Sequence, residues 1–320
     1  MRERLLEMLT EREGEYISGE EASRRLGISR TAVWKHIRRL TEEGYAIEAS
    51  RNRGYRLAGT PDRLTATGLM SRLKTKSLGR SLHLYDEIGS TQDAAKRLAE
   101  EGAPEGTLVI AEQQTSGRGR MGRSWLSPKY KGLWMSLVLR PNVSVLCTPQ
   151  LTLLTAAALC RSLRRQTGLE IGIKWPNDLL IDGRKISGIL LESSAEEERL
   201  RHVVAGIGIS VNLEPEDYPP ELRSKAVSLR MAAGRPLDRT ETAAQFLESL
   251  EELYDIYRHD GFGPIRLLWE AWSVSLGKPA ALKTPQGTVE GVPLGLSDNG
   301  ALRVRTADGL VREVFSAEFE

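Results

Sequence analysis

The stretch LAGTPDRLT, Leu57 to Thr65, breaks the apolar periodicity with glycine, proline and aspartate and divides the chain into two parts of different texture. At 320 residues the chain is too long for one ordinary compact core, so two or three domains are expected, with a boundary at this break. Before it the pattern is helical and ends in a short hairpin. After it, short apolar strand candidates alternate with helical patterns.

Residues Arg2 to Leu57 read as helix, helix, turn, helix, hairpin. Ser18 and Glu21 spell a capping box for the second helix, Gly27 makes the turn, and Ser29 caps the third. In that third helix, RTAVWKHIRRL, the residues Val33, Ile37 and Leu40 stack on one face, with Thr31, Trp34, Lys35 and Arg38 roughly 100 to 200 degrees away. Ser29 to Leu40 carries Arg30, Lys35, Arg38 and Arg39 with no acid, and Arg51, Arg53 and Arg56 follow in SRNRGYRL. The whole chain has a formal charge of only +2, which excludes a general basic field, so any nucleic-acid contact is local. The one-sided placement is that of a recognition helix with a basic wing, with Arg30, Thr31, Trp34, Lys35, Arg38 and Arg53 as the DNA contacts. The competing reading is a protein-interaction domain with a solvated basic face.

Beyond the break, SLHLYD, TLVIAE, GLWMSLVL, IGIKW, ISGILLE and HVVAGIGISVN are strand candidates, and QLTLLTAAALCRSLRRQTG is helical, which gives an α+β body. From Leu276 onward, PAALKT, TVEGVPLGL and ALRVRTA read as a small β-barrel.

The segment QQTSGRGRMGRSW, Gln113 to Trp125, lies between two strand candidates and is tethered at both ends. A nucleic-acid RG tract is more often terminal and repeated. Gly117, Gly119 and Gly122 let backbone N–H groups converge, and Arg118, Arg120 and Arg123 carry forked guanidiniums suited to phosphate oxygens. The segment has neither P-loop spacing nor the context of a dinucleotide-binding turn, so it reads either as a phosphate-ester loop or as a flexible surface turn.

In KWPNDLLIDGRKISGILLE, Pro176 and Asn177 interrupt a strand, and Asp182 with Gly183 signals a hairpin with Lys185 just beyond the turn. Strand alternation places Lys185, Ser187 and Ile189 on one face and Gly188 on the other. Lys185 is either a positioned group for a reacting phosphoryl or a solvated hairpin lysine. Ser90 and Asp93, in IGSTQDAAKRLAEEG, spell a helix start where Ser90 either caps the helix or faces a ligand. Gly206 and Gly208, on one face of AGIGISVN, leave a slot for a flat ligand or for sheet packing.

Two cysteines without a CxxC pair and four scattered histidines suggest neither disulfides nor a metal site, and Cys147 and Cys160 read as buried thiols. No apolar run approaches the roughly 20 residues of a membrane span, so a cytoplasmic protein with no membrane partner is expected.

With STQ, GRGRMGR-W, KWPND, the Lys185 hairpin and GIGISVN in this order behind a winged helix, the chain closely resembles the bifunctional biotin–protein ligase and biotin-operon repressor family. The resemblance runs over essentially the whole chain. It implies an α+β multidomain fold: a winged helix-turn-helix over 1–60, a central mixed α/β catalytic domain like class II synthetases over 61–274, and an SH3-like β-barrel over 275–320.

It also implies the reaction. Biotin and ATP, with Mg²⁺, give biotinyl-5′-AMP and pyrophosphate, and a lysine of a biotin carboxyl carrier protein then attacks the mixed anhydride. On the matching positions, Ser90, Thr91, Gln92 and Gln114 border the biotin pocket, and Gly117, Arg118, Gly119, Arg120 and Arg123 belong to a covering loop. Trp125 stacks on adenine, and Gly188, Gly206 and Gly208 shape the floor. Lys185, Arg120 and Asp178 are the catalytic candidates, Asp178 either orienting Lys185 or handling the proton of the attacking lysine. The family further implies a homodimer when adenylate-bound, which binds operator DNA and represses biotin synthesis and transport genes. Ser210 stands where the family usually has Asn, and Ala317-Glu318 where Gly-Glu is common. Rival readings are a ligand sensor without catalysis and a ligase for another acyl group such as lipoate.

Overall fold

The computed structural model describes residues 1–12, 14–42, 44–60 and 62–319. Pro61, the proline of the break, therefore lies outside the described residues. Internal contacts divide the chain into Met1–Arg63 and Leu64–Glu320.

The first unit contains α1 (Arg2–Glu11), α2 (Gly19–Leu26), α3 (Arg30–Glu42) and the antiparallel pair β1 (Ala46–Ser50) and β2 (Gly54–Gly59). The Ser18 hydroxyl accepts the Glu21 N–H at 3.0 Å, and Gly27 closes α2 in the left-handed conformation at φ 65°. Ser29 accepts the Ala32 N–H and so starts α3. Leu5, Leu9, Ile17, Ala22, Leu26, Val33, Ile37, Leu40 and Leu57 form a core of their own. This is the winged helix-turn-helix expected from the spacing of the apolar residues.

The second unit is built on a seven-stranded sheet. In chain order it contains α4 (Ala66–Arg72), β3 (Leu82–Tyr85), α5 (Thr91–Glu100), β4 (Leu108–Ala111), β5 (Leu133–Leu139) and α6 (Thr148–Thr167). Then come β6 (Gly172–Lys174), β7 (Asp178–Ile181), β8 (Arg184–Glu196), β9 (Arg199–Ile209), α7 (Leu229–Ala233), α8 (Arg239–Asp260) and α9 (Gly263–Ala271). The strand order is β3-β4-β5-β9-β8-β7-β6, with β3 and β4 parallel and every other pairing antiparallel.

Helix α5 covers one face through Ala94, Ala95 and Ala99 against Val109, Val138 and Val204. Helix α6 covers the other face, with α8 and α9 packed against α6, and α6 is buried through most of residues 150–163. Cys160 is buried in α6, where desolvation pushes its thiol up to about 12; Cys147 is only half-buried.

A third group of strands, β10 (Ala280–Thr284), β11 (Gly287–Leu296), β12 (Leu302–Arg305), β13 (Val311–Val314) and β14 (Glu318–Phe319), forms an antiparallel sheet ordered β13-β12-β11-β10-β14. Strand β11 pairs with β10 through its first half and with β12 through its second, with a register shift between Pro293 and Gly295. The sequence signal missed β13 and β14, which are exposed or short.

Arg239, the first residue of α8, is fully buried and paired with Glu112 at 2.7 Å. The same guanidinium nitrogen donates to the Gly132 carbonyl, and the other Glu112 oxygen accepts the Leu64 N–H at 2.6 Å. Removing one partner of a buried pair leaves an uncompensated charge, which costs about 3–5 kcal/mol. Arg239→Ala is therefore expected to lower the stability of the second unit by about that amount. Urea unfolding followed by far-UV circular dichroism measures it; an unchanged midpoint would show the pair to be dispensable.

Candidate active site

On the α5 face of the sheet, beyond the N-terminus of that helix, lies a cavity of about 430 Å³. It is lined by Ser90, Thr91, Gln92, Gln114, Arg118, Gly119, Arg120, Arg123, Trp125, Asp178, Lys185, Gly188, Gly206 and Gly208. These residues come from five separate stretches of the sequence. Gly117 is buried behind the wall, where an added Cβ would lie 2.8 Å from the Trp125 carbonyl oxygen.

One end of the cavity is polar and uncharged. Ser90 is the N-cap residue of α5, but its side chain makes no cap bond, so its hydroxyl is left to the cavity. The Gln114 side-chain oxygen accepts both the Thr91 N–H at 2.9 Å and the Thr91 hydroxyl at 3.0 Å. The Gln92 amide reaches across the sheet, its nitrogen donating to the Val204 carbonyl at 3.1 Å. An ideal Cβ on Gly206 would lie 2.5 Å from Gln92 Oε1, so only glycine lets this side chain rest on β9.

The other end is cationic. The β7–β8 turn runs through Asp182 and Gly183, both at positive φ (49° and 74°), and sets Lys185 at the start of β8. Plain alternation would have placed Lys185 opposite Gly188. Instead the register slips between Leu179 and Leu180, which face Ser187 and Lys185, and this bulge turns the lysine onto the face of Gly188. An added Cβ on Gly188 would lie 3.1 Å from Lys185 Nζ. The ammonium pairs with Asp178 at 2.7 Å and sits 5.2 Å from the centre of the Trp125 ring. The indole in turn lies on Gly208, whose hypothetical Cβ would fall 2.3 Å from Trp125 Nε1.

The arginine loop is a folded strap. Its edges are stitched by Thr115 N–H to the Ile88 carbonyl, Ser116 N–H to Gly89 and Trp125 N–H to Gly117. At its tip, Gly119 N–H bonds the Arg123 carbonyl around a turn containing Met121 and Gly122 at positive φ. Arg118 pairs with Asp93 on α5. Arg120 donates to Asn177 Oδ1 and to Ser316 Oγ, each at 3.0 Å, and Arg123 pairs with Glu318. Burial lowers the Arg120 pKa, against the opposing attraction of Asp178 and Glu318. Among the described residues, six basic side chains (Arg118, Arg120, Arg123, Lys174, Lys185, Lys225) and two acidic ones (Asp178, Glu318) line the cavity, which makes it a site for an anion.

Several lining residues carried no usable signal. Asn177 was visible only as a strand interruption, yet it holds Arg120 and donates to the Ile189 carbonyl at 2.9 Å. Ser136 sits mid-strand among apolar residues and reads as an ordinary β5 residue. Tyr218 comes from a loop and has its hydroxyl pKa raised by burial. Ala317, Glu318 and Phe319 reach the cavity from the C-terminal sheet, which no local pattern announces.

In the first unit, Arg30, Thr31, Trp34, Lys35, Arg38 and Arg53 are all exposed, while Val33, Ile37 and Leu40 on the opposite face of α3 are buried. The Arg38 guanidinium lies 6.0 Å from the Trp34 ring and that of Arg53 4.3 Å from the Tyr16 ring. Arg56 is tied to Glu48 at 2.6 Å.

Three family models match in succession: an HTH domain over residues 2–56, the biotin/lipoate A/B protein ligase family over 85–210, and the biotin protein ligase C-terminal domain over 275–320. The chain is 46% identical over 320 residues to the bifunctional ligase/repressor BirA of Bacillus subtilis, covering 100% of this chain and 98% of that one. The chain belongs to the bifunctional biotin ligase/repressor family. The Escherichia coli bifunctional ligase/repressor BirA is 29% identical over 306 residues, covering 95% of this chain and 92% of that one. The structure of the Aquifex aeolicus biotin protein ligase in complex with biotin and ATP matches with a TM-score of 0.65 at 32% identity, covering 75% of this chain and 98% of that one.

The contact between Trp125 and Gly208 can be tested directly. Gly208→Val is expected to expel the indole and loosen the strap, so that trypsin cuts at Arg118, Arg120 and Arg123 several-fold faster. Unchanged cleavage would mean that the strap is held without this contact.

Proposed function

We propose that the chain is an ATP-dependent biotin–protein ligase that also represses transcription, with the cavity as the site of both biotin activation and transfer. The observation that carries this reading is the two-ended cavity. Hydrogen-bonding groups without charge cluster at Gly206, and the Lys185 ammonium lies at Gly188, the cross-strand partner of Gly208, which is about 7 Å further along β9 at two residues of strand rise. Biotin has the matching form, an uncharged ureido ring joined by an apolar chain to a carboxylate. A dithiolane ring, as in lipoate, has no use for the hydrogen-bonding end.

Activation brings a carboxylate oxygen up to the α-phosphorus of ATP, used as its Mg²⁺ complex, to form the acyl-phosphate anhydride as the bond to the β-phosphate breaks and pyrophosphate leaves, so two anions must be held together. Lys185 meets the carboxylate and the oxygens that bridge to phosphorus, and Arg118, Arg120 and Arg123 offset the charge on the phosphates. Asp178, at 2.7 Å from Lys185, supports the orienting role over a proton-handling one. Trp125 offers an indole face to the adenine, and the strap shields the anhydride from water. A carrier-protein lysine then attacks the acyl carbon, forming the amide and releasing AMP.

The division of labour places DNA binding in 1–60, catalysis in 61–274 and a supporting barrel in 275–320, whose Ser316 and Glu318 hold the strap arginines. The exposed face of α3, with Arg30, Thr31, Trp34, Lys35 and Arg38, lies in the major groove, and Arg53 tracks the backbone beside it. Adenylate-loaded chains pair on a two-half-site operator, so ligand and DNA stabilise the same dimer.

Incubation with ATP, labelled biotin and a biotin carboxyl carrier domain is expected to label the carrier, and labelled lipoate is expected to fail; the reverse result would overturn the reading. Lys185→Ala and Arg120→Gly are each expected to reduce adenylate formation or retention by about 10²-fold, the scale of losing one preorganised charge-stabilising group, with the circular dichroism spectrum unchanged. Removal of residues 1–60 is expected to abolish operator binding in a mobility-shift assay while much of the ligation remains. Retained DNA binding would place the interface elsewhere.

A further inference from the structure

In the first unit the hairpin of β1 and β2 is fastened to the segment just before α2. Ile17 and Tyr55 exchange backbone N–H to carbonyl bonds, each of 2.8 Å. Gly54, at φ 98°, permits this approach, since an ideal Cβ there would lie 2.1 Å from the Ile17 carbonyl oxygen. One residue before Ile17, the Tyr16 ring lies against two guanidiniums of the hairpin, that of Arg53 at 4.3 Å from its centre and that of Arg56 at 5.0 Å. The same segment runs on toward the recognition helix: an ideal Cβ on Gly19 would lie 3.6 Å from the Tyr55 ring and 3.9 Å from Arg30 Nε.

The hairpin from Ala46 to Gly59 carries one acid, Glu48, and three arginines, Arg51, Arg53 and Arg56. Arg56 faces Glu48 across the ladder and donates to its Oε2 at 2.6 Å, and the Tyr16 hydroxyl donates to the same oxygen at 2.8 Å. The acid is thus taken by Arg56 and Tyr16, and Arg53, exposed at the end of the turn, rests on the ring face. An aromatic face orients a guanidinium without cancelling its charge, whereas an acid in that place would have to be displaced by an incoming phosphate. Holding a long side chain in position before binding also lowers the entropy lost on binding.

We infer that Tyr16 is a positioning residue for DNA binding: its ring presents Arg53, oriented and with its charge intact, to a phosphate of the duplex beside the groove that α3 enters. The inference rests on the reading of residues 1–60 as the DNA-binding module and adds to it a residue that acts through Arg53.

Fluorescence-anisotropy titration of the adenylate-loaded full chain tests this, with a labelled duplex recovered by binding selection from random-sequence DNA with the parent chain. Arg53→Ala is expected to weaken binding and to reduce the slope of log affinity against log salt by about 0.9, the loss of one phosphate contact. Tyr16→Leu is expected to weaken binding about two- to fivefold, the scale of one exposed cation–π contact. Tyr16→Phe keeps the ring and is expected to stay within about 1.5-fold of the parent. Tyr16→Leu combined with Arg53→Ala is expected to bind as Arg53→Ala alone does, because the ring acts through that arginine; a ring that merely stiffened the hairpin would weaken the double variant further. Biotin transfer is expected to be unchanged in every variant. Equal losses in Tyr16→Phe and Tyr16→Leu, additive losses in the double variant, or an unmoved affinity in Tyr16→Leu would overturn the inference while leaving the DNA-binding reading in place. A parent chain that selects no DNA overturns both.

Discussion

The buried pair of Glu112 and Arg239 is the contact around which the second unit is assembled. Taking two charges out of water costs several kcal/mol each, and the cost is offset here by their mutual attraction and by bonds to the Gly132 carbonyl and the Leu64 N–H. Four elements meet at this point: the end of β4, the start of β5, the first turn of α8 and the first residue after the N-terminal module. Because Glu112 is fixed, Gln113 and Gln114 leave β4 in one direction only. The arginine strap begins from that direction.

From there the site follows by close approach. Gly206 and Gly208 remove side chains from β9, so Gln92 rests on one and the Trp125 indole on the other. Gly188 does the same for Lys185 on the neighbouring strand. The strap is then closed by ion pairs and hydrogen bonds to three different elements: Asp93 on α5, Asn177 before β7, and Ser316 with Glu318 at the end of the chain. The two ion pairs are exposed or half-exposed, so each contributes little to holding the strap.

Much of this was legible in the sequence where the signal is local. The Ser18–Glu21 capping pattern, the Asp182-Gly183 turn and the spacing of Val33, Ile37 and Leu40 each depend on residues a few positions apart. The ordered motifs from Ser90 to Gly208 located most of the cavity, because catalysis of this kind needs cations, glycines and amides that are chemically distinctive. Lys185 shows where that reasoning stops. Its facing was misjudged because alternation assumes an unbroken ladder, and a one-residue bulge reverses it. Ser136 went unnoticed because it is a lone polar residue among the apolar side chains of β5.

By itself the sequence determined many of the elements, the two-part division of the chain and the chemical character of the site. Backbone propensity, side-chain period and charge are local properties, written into neighbouring residues. Only the tertiary structure decided that Gln92 is consumed as a brace, that the C-terminal segment lends Ser316 and Glu318 to the arginine strap, and that the Thr91 hydroxyl bonds to Gln114. Those outcomes depend on distances between residues 20 to nearly 200 positions apart, which are fixed when strands β5, β8 and β9 pair and the helices close over them.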